Sequence, residues 1–148
     1  MSWNRHQIVR LSQERDVLRR EFPLFGFFDP RGSTYVAGNW TTNLGNDYTL
    51  RVNIPAGYPD ECPSTYIVRP SPLLGWKGRR TMESHGSSHE MHTWRTDHPG
   101  WVKICTYRPD LWSADHSIVK IIRKGMLWLV AYECHLQDGS PLNRFLMD

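Results

Sequence analysis

The chain has 148 residues, 39% apolar and 22% charged, which are the proportions of one ordinary soluble domain able to bury a core. Its formal charge of +3 is scattered along the sequence rather than gathered into a basic, aromatic-interleaved stripe, so no nucleic-acid partner is expected. The most apolar run, 125–132, is too short to cross a bilayer, and the opening Met-Ser-Trp-Asn-Arg-His-Gln lacks the apolar segment of a signal peptide. The reading is therefore a single domain over 1–148, with no membrane partner.

Three cysteines, Cys62, Cys105 and Cys134, without a CxxC pair or ribbon spacing, fit a reducing cytoplasm better than a disulfide scaffold. Seven tryptophans anticipate wide rings that pack a core or line a groove.

In chain order, residues 4–21 predict a helix with Ile8, Leu11, Arg15 and Leu18 on one stripe and Val17 beside it. Phe22-Pro23 stops it, because the residue before proline is pushed out of the helical region. Residues 34–40 and 48–54 predict a hairpin across an Asn43-Leu44-Gly45-Asn46 turn. The second run alternates Tyr48, Leu50, Val52 and Ile54 inward. After the rigid Pro55-Ala56-Gly57-Tyr58-Pro59 turn, a third strand is expected at 65–69, then a long exposed loop over 70–88. A fourth short strand is expected near 90–95, and 96–114 reads as irregular and aromatic. Ser113 or Asp115 is placed to cap a last helix reaching about Gln137. Its stripe would be Ile118, Ile122, Gly125, Leu129, Tyr132 and Leu136, with Asp138-Gly139 ending it. From Met126 to Tyr132 nearly every residue is apolar, which predicts burial on most sides. Helix, consecutive antiparallel strands, helix is an α+β layout.

Cys105 lies in Lys103-Ile104-Cys105-Thr106-Tyr107-Arg108-Pro109. On its own it reads as a small buried hydrophobe or as a thiol whose thiolate Lys103 and Arg108 could stabilise. Cys62, beside Pro63, and Cys134, within the last helix, read as structural. Among other features, His92-Thr93-Trp94 precedes Cys105, Trp112-Ser113 follows it, and Trp128-Leu129-Val130-Ala131-Tyr132-Glu133 lies on the last helix.

Taken together, the order Tyr-x-Leu-x-Val-x-Ile-Pro, Gly-Tyr-Pro, a His-bearing segment, Ile-Cys, Trp-Ser and an apolar helix resembles the ubiquitin-conjugating enzyme family across about residues 5–137. The closer resemblance is to its bacterial branch, with His-x-aromatic, Leu/Ile-Cys-x-Tyr-x-Pro, Trp, then Trp-Leu-x-x-Tyr-Glu. The resemblance implies the conjugating-enzyme fold: an N-terminal helix, a four-stranded antiparallel meander and a long buried C-terminal helix. The extra C-terminal helices of many eukaryotic relatives would be reduced or absent, unless 141–147 forms a stub. It implies a transferase with Cys105 as the thioester-forming residue. Several members of this branch belong to antiphage defence systems, including cyclic-oligonucleotide-based (CBASS-type) ones. The implied cargo is a ubiquitin-like protein or the C-terminal tail of a cGAS-like nucleotidyltransferase, with an activating enzyme as a possible further partner. Arg10, Leu11 and Arg15 would be candidates for docking that enzyme. No cofactor is implied, and no Gly-rich phosphate loop is present.

The His-Pro-Asn tripeptide of the eukaryotic members has no counterpart. His98-Pro99-Gly100 places glycine where the amide should be, seven residues before Cys105. The polar-partner role falls to His92, as oxyanion donor or proton acceptor; a structural histidine bracing the loop is the other reading. Trp94, Tyr107 and Trp112 are candidate groove walls, or core packing. Three rivals remain. A metal site could draw on His85, His89, His92 and Cys105, although His89 and His92 lack the helical four-residue spacing. A cysteine hydrolase would need a spatial Cys-His-Asn/Asp set that sequence does not display. A non-catalytic binding or scaffold module is the rival from another class.

Overall fold

The computed structural model describes residues 3–146; Met1, Ser2, Met147 (the last residue of the expected stub) and Asp148 lie outside them. The first helix, α1, spans Arg5–Glu21. Asn4 starts it with a reciprocal cap: its side chain accepts the Gln7 N–H at 2.9 Å, and the Gln7 side chain accepts the Asn4 N–H at 3.0 Å. The Gln7 amide also donates to the carbonyls of Ala56 and Tyr58, at 2.7 and 2.8 Å, which ties the helix start to the turn after the central strands. The buried stripe is Leu11, Glu14 and Leu18. Ile8 is 53% exposed and Arg15 faces solvent, so the expected stripe is corrected by one position. Glu14 takes Arg15's place inside because its carboxylate is fully satisfied there.

Six strands follow, not four: β1 (Phe25–Phe28), β2 (Tyr35–Thr41), β3 (Asp47–Asn53), β4 (Ser64–Arg69), β5 (Thr93–Trp94) and β6 (Val102–Ile104). They form one antiparallel sheet in the order β1-β2-β3-β4-β6-β5. The meander β1 to β4 is consecutive, and the short β5–β6 hairpin extends its edge. The expected fourth strand near 90–95 is thus β5. Two strands were not anticipated: Phe25–Phe28 because it is apolar throughout, and Val102–Ile104 because three residues carry no readable period. On β3, Tyr48, Leu50 and Val52 point inward with at most 5% exposure, as the alternation predicted. On the opposite face Arg51 stacks 3.5 Å from the Tyr35 ring and 5.0 Å from that of Trp101.

The last helix, α2, spans Ile118–Asp138. Neither Ser113 nor Asp115 caps it: Ser117 does, accepting the Lys120 N–H at 3.2 Å. Glu14 Oε1 accepts the Ile118 N–H at 2.7 Å, a carboxylate at the positive end of a helix. Gly139, at φ +79, closes the helix as its left-handed cap. The helix crosses β3 so closely that a Cβ on Gly125 would lie 2.4 Å from a Leu50 methyl.

Burial of α2 covers most of its circumference, as expected, and leaves one exposed strip. Ile118, Ile122, Leu129 and Tyr132 are buried, whereas Leu127 is 58% and Val130 46% exposed. Leu136 is half-buried. Besides the sheet, α1 and the 3-10 turn at Leu142–Arg144 pack on α2, and Leu127 and Val130 lie on the strip left exposed.

The expected loop over 70–88 is anchored rather than free. It carries two 3-10 turns, Trp76–Gly78 and Met82–His85, and buries Leu73 and Met82 in the core. The Tyr132 hydroxyl donates to the Leu74 carbonyl. His135 Nε2 accepts the Trp76 N–H at 3.1 Å while Nδ1 faces the Ser140 carbonyl at 2.8 Å, the pattern of a neutral imidazole protonated on Nδ1. After α2, a 3-10 turn at Leu142–Arg144 is the stub, with Leu142 fully buried. No described helix is long and apolar enough to cross a membrane.

Candidate active site

Two buried carboxylates fix α2, the helix whose Lys124, Leu127 and Trp128 line a cleft with Cys105. Glu14 Oε2 accepts from the Tyr58 hydroxyl and from Arg10 Nε at 3.1 Å, while its other oxygen caps α2. Burial and the Glu14 charge push the Tyr58 hydroxyl far above its ordinary pKa, so it stays a donor. Glu133 Oε2 collects Thr42 Oγ1 at 2.9 Å, Asn46 Nδ2 at 2.8 Å and the Tyr48 hydroxyl at 2.9 Å. It thereby pins α2 to the β2–β3 turn. Neither role was read from the sequence. An acidic residue three or four places from buried apolar ones, with tyrosines available elsewhere, was the only signal.

Cys105 follows the last residue of β6 and is half-exposed. Its N–H donates to the His92 carbonyl at 2.8 Å, extending the β5–β6 ladder by one bond. The same carbonyl accepts from Trp128 Nε1 at 3.0 Å. His92 holds this geometry at φ +51, a left-handed conformation that a non-glycine residue adopts only when its surroundings impose it. Here one backbone carbonyl joins the cysteine, the β5 turn and the buried Trp128 of α2. His92 is 9% exposed, and its ring lies 5.5 Å from that of His89.

Two clefts meet at this point. One is lined by His92, Cys105, Tyr107 and Arg108 and by Lys124, Leu127 and Trp128 of α2, residues that share one helix face by their three- and four-residue spacing. The other is lined by Ser87, Ser88, His89, His92, Trp94, Cys105 and Arg108. Cys105 and His92 line both clefts, with Tyr107 beside them in the first and Trp94 in the second. Trp112 lines neither cleft. Its indole donates to the Pro59 carbonyl at 2.9 Å and its ring packs 5.3 Å from Tyr107, so it braces the wall from behind.

Lys124 Nζ stands 3.9 Å from the centre of the Tyr107 ring, and Arg108 pairs with Asp110 at 3.0 Å in solvent. Lys124 and Leu127 of α2, and Leu111 of the 3-10 turn Pro109–Leu111, were not anticipated as site residues.

The other candidates line neither of these two clefts. Cys62 is half-buried, and its thiol faces the Pro63 carbonyl at 3.4 Å. Burial first, and the charge of Cys105 second, push that thiol up to about 11, against a weaker pull from Lys103. Cys134 is half-buried on α2. His85 is held below its usual pKa by burial, then by Arg80 and His135. His98 stacks on Trp101 at 3.5 Å and lines neither cleft. Among the described residues no group of three or more His, Cys, Asp or Glu is placed to hold a metal ion. On α1, Leu11 is buried and Arg10 is engaged by Glu14 and by the His116 carbonyl at 2.7 Å; only Arg15 of the expected docking trio faces solvent.

No family model, curated protein or solved structure matches this chain.

Proposed function

We propose that this protein is a ubiquitin-conjugating-type transferase that carries an acyl group as a thioester on Cys105. The observation that carries the reading is a half-exposed cysteine where two open clefts meet, its N–H held by the carbonyl of a histidine that lines both. The order of elements supports the finer fold assignment: helix, consecutive antiparallel meander, cysteine, then a long helix packed on the sheet. The two added strands β5 and β6 then serve to present Cys105 and His92 side by side.

The chemistry needs little more than this. In loading, the Cys105 thiolate attacks the carbonyl carbon of an incoming thioester, the new C–S bond forms, and the donor thiolate leaves. In discharge, an amine attacks the same carbonyl, its proton passes to a base or water, and the Cys105 thiolate departs. His92 is assigned to this second step, donating to the oxyanion or accepting the proton. Tyr107 and Trp94 wall the two clefts, and Trp112 holds Tyr107 in place. The cargo would be the C-terminus of a ubiquitin-like protein or of a cGAS-like nucleotidyltransferase, delivered by an activating enzyme and used in bacterial antiviral defence.

The test is a trap in lysate of the protein's own host, resolved without reductant. Wild type should form a higher-mass species that thiol removes, Cys105→Ala none, and Cys105→Ser a reductant-resistant ester. A thiol-sensitive species that persists in Cys105→Ala would assign the carrier to another residue.

A further inference from the structure

The cleft on the α2 side of Cys105 has a composition that selects among tails. Its apolar floor and shelf are Trp128, Leu111 and Leu127, and the last two are 62% and 58% exposed. Exposed leucines beside Cys105 are apolar surface left open to water. The rim carries Lys124 and Arg108, and none of the cleft's lining residues is a carboxylate. Asp110 partly answers the Arg108 charge from outside the cleft, whereas Lys124 rests on the face of Tyr107.

The chain supplies its own example of what the cleft holds. After the 3-10 turn at Leu142–Arg144, Leu146 turns back to line this cleft and packs against the core. An aliphatic side chain from an irregular segment is thus already part of the wall.

We propose that this cleft is a specificity pocket for an extended C-terminal tail that carries a bulky aliphatic side chain and an acidic residue just before its acylating terminus. The inference rests on the carrier reading, whose substrate class it narrows. The terminal carbonyl sits at Cys105, the aliphatic group lies on Leu111 and Leu127, and the carboxylate faces Lys124 and Arg108. A tail of small residues reaches the thiol but leaves the leucines wet, and a basic tail meets two cations.

Short synthetic peptides test this without an activating enzyme. Three sequences, ending Glu-Leu-Gly, Lys-Leu-Gly and Ser-Gly-Gly, are offered as mercaptoethanesulfonate thioesters, and acyl transfer to Cys105 is followed by intact mass. The same peptides as free acids are titrated against Cys105→Ser by fluorescence anisotropy. The Glu-Leu-Gly peptide should load and bind about tenfold better than the Ser-Gly-Gly peptide, the scale set by burying one aliphatic side chain. Leu127→Glu should abolish that preference, and Lys124→Glu with Arg108→Glu should reverse the order of the acidic and basic peptides. Val130→Glu, on the same exposed helix side but outside the cleft, should change neither.

Equal loading and equal binding of all three peptides overturns the pocket and leaves the carrier intact. Selective binding without any transfer to Cys105 upholds the pocket and removes the carrier reading. Equal binding without transfer overturns both.

Discussion

Glu14→Ala should be among the most damaging single changes in this protein. The carboxylate is 6% exposed and holds three donors: the Tyr58 hydroxyl, Arg10 Nε and the Ile118 N–H. Arg10 can turn to water. Tyr58 and Ile118 are both fully buried, so their donors lose the acceptor in a place water does not reach. Each such orphaned donor costs about 1–3 kcal/mol. Adding the loss of a charge at the α2 N-terminus gives roughly 3–5 kcal/mol in total. For a chain of this size about 1 kcal/mol moves Tm by roughly 2–4 °C, so the variant should melt roughly 6–20 °C below wild type. The assay is thermal and urea denaturation followed by circular dichroism, with Tyr58→Phe and the double variant completing a cycle. Because the two residues share one hydrogen bond, their costs should fall short of additive by about 1 kcal/mol or more. A Glu14→Ala loss under about 1 kcal/mol, or strict additivity with Tyr58→Phe, would refute the network.

Gly125→Ala gains helix propensity of about 1 kcal/mol yet should still destabilise the fold by a net 1–3 kcal/mol or so, because its methyl meets Leu50 at 2.4 Å; a urea midpoint at or above wild type would contradict the close crossing of α2 over β3. At pH 8 Cys62 should react with iodoacetamide about a hundredfold more slowly than an unperturbed thiol, since burial raises its pKa from 9.0 to about 11, and peptide mapping reads this directly. The sign for stability follows: the folded form holds the proton more tightly, so the Cys62 contribution is complete below pH 9 and is lost as pH rises through about 11. His92→Gly, which relieves the φ of +51 but removes a buried ring, should still load Cys105, while amine discharge falls about tenfold or more; His92→Asn, which tolerates the left-handed conformation and keeps a donor, should recover part of that rate. Discharge unaffected by either change would leave His92 as a brace for the loop.

The parts of the fold legible in sequence were those with a two-residue alternation or a turn or stop signal. The alternation of Tyr48, Leu50 and Val52, the Asn43–Asn46 turn, and the Asp138-Gly139 stop all correspond to observed features. What escaped was short, uniform or polar. β6 has three residues, and β1 reads Phe-Gly-Phe-Phe with no polar face. The inward places of Glu14 and Glu133 depend on tyrosine and threonine partners between 44 and 91 residues away in the chain, a distance no local pattern reports. At the site, Cys105 and His92 were legible as residues, but the bond that joins them was not. It depends on β5 and β6 pairing across a seven-residue loop and on one left-handed backbone angle. On α2 the apolar stretch does correspond to burial on most sides; what it did not reveal is the narrow strip on which Leu127 and Val130 stay exposed.

The central claim concerns one sulfur atom, and the most direct measurement is to locate the acyl group on it. The higher-mass species formed in host lysate should be isolated under acidic, reductant-free conditions, digested, and mapped by tandem mass spectrometry. A hydroxylamine-labile acyl adduct is expected on the peptide containing Cys105, with Cys62 and Cys134 recovered as free thiols. An adduct on Cys62 or Cys134, or a species held together by a disulfide instead of a thioester, would contradict it.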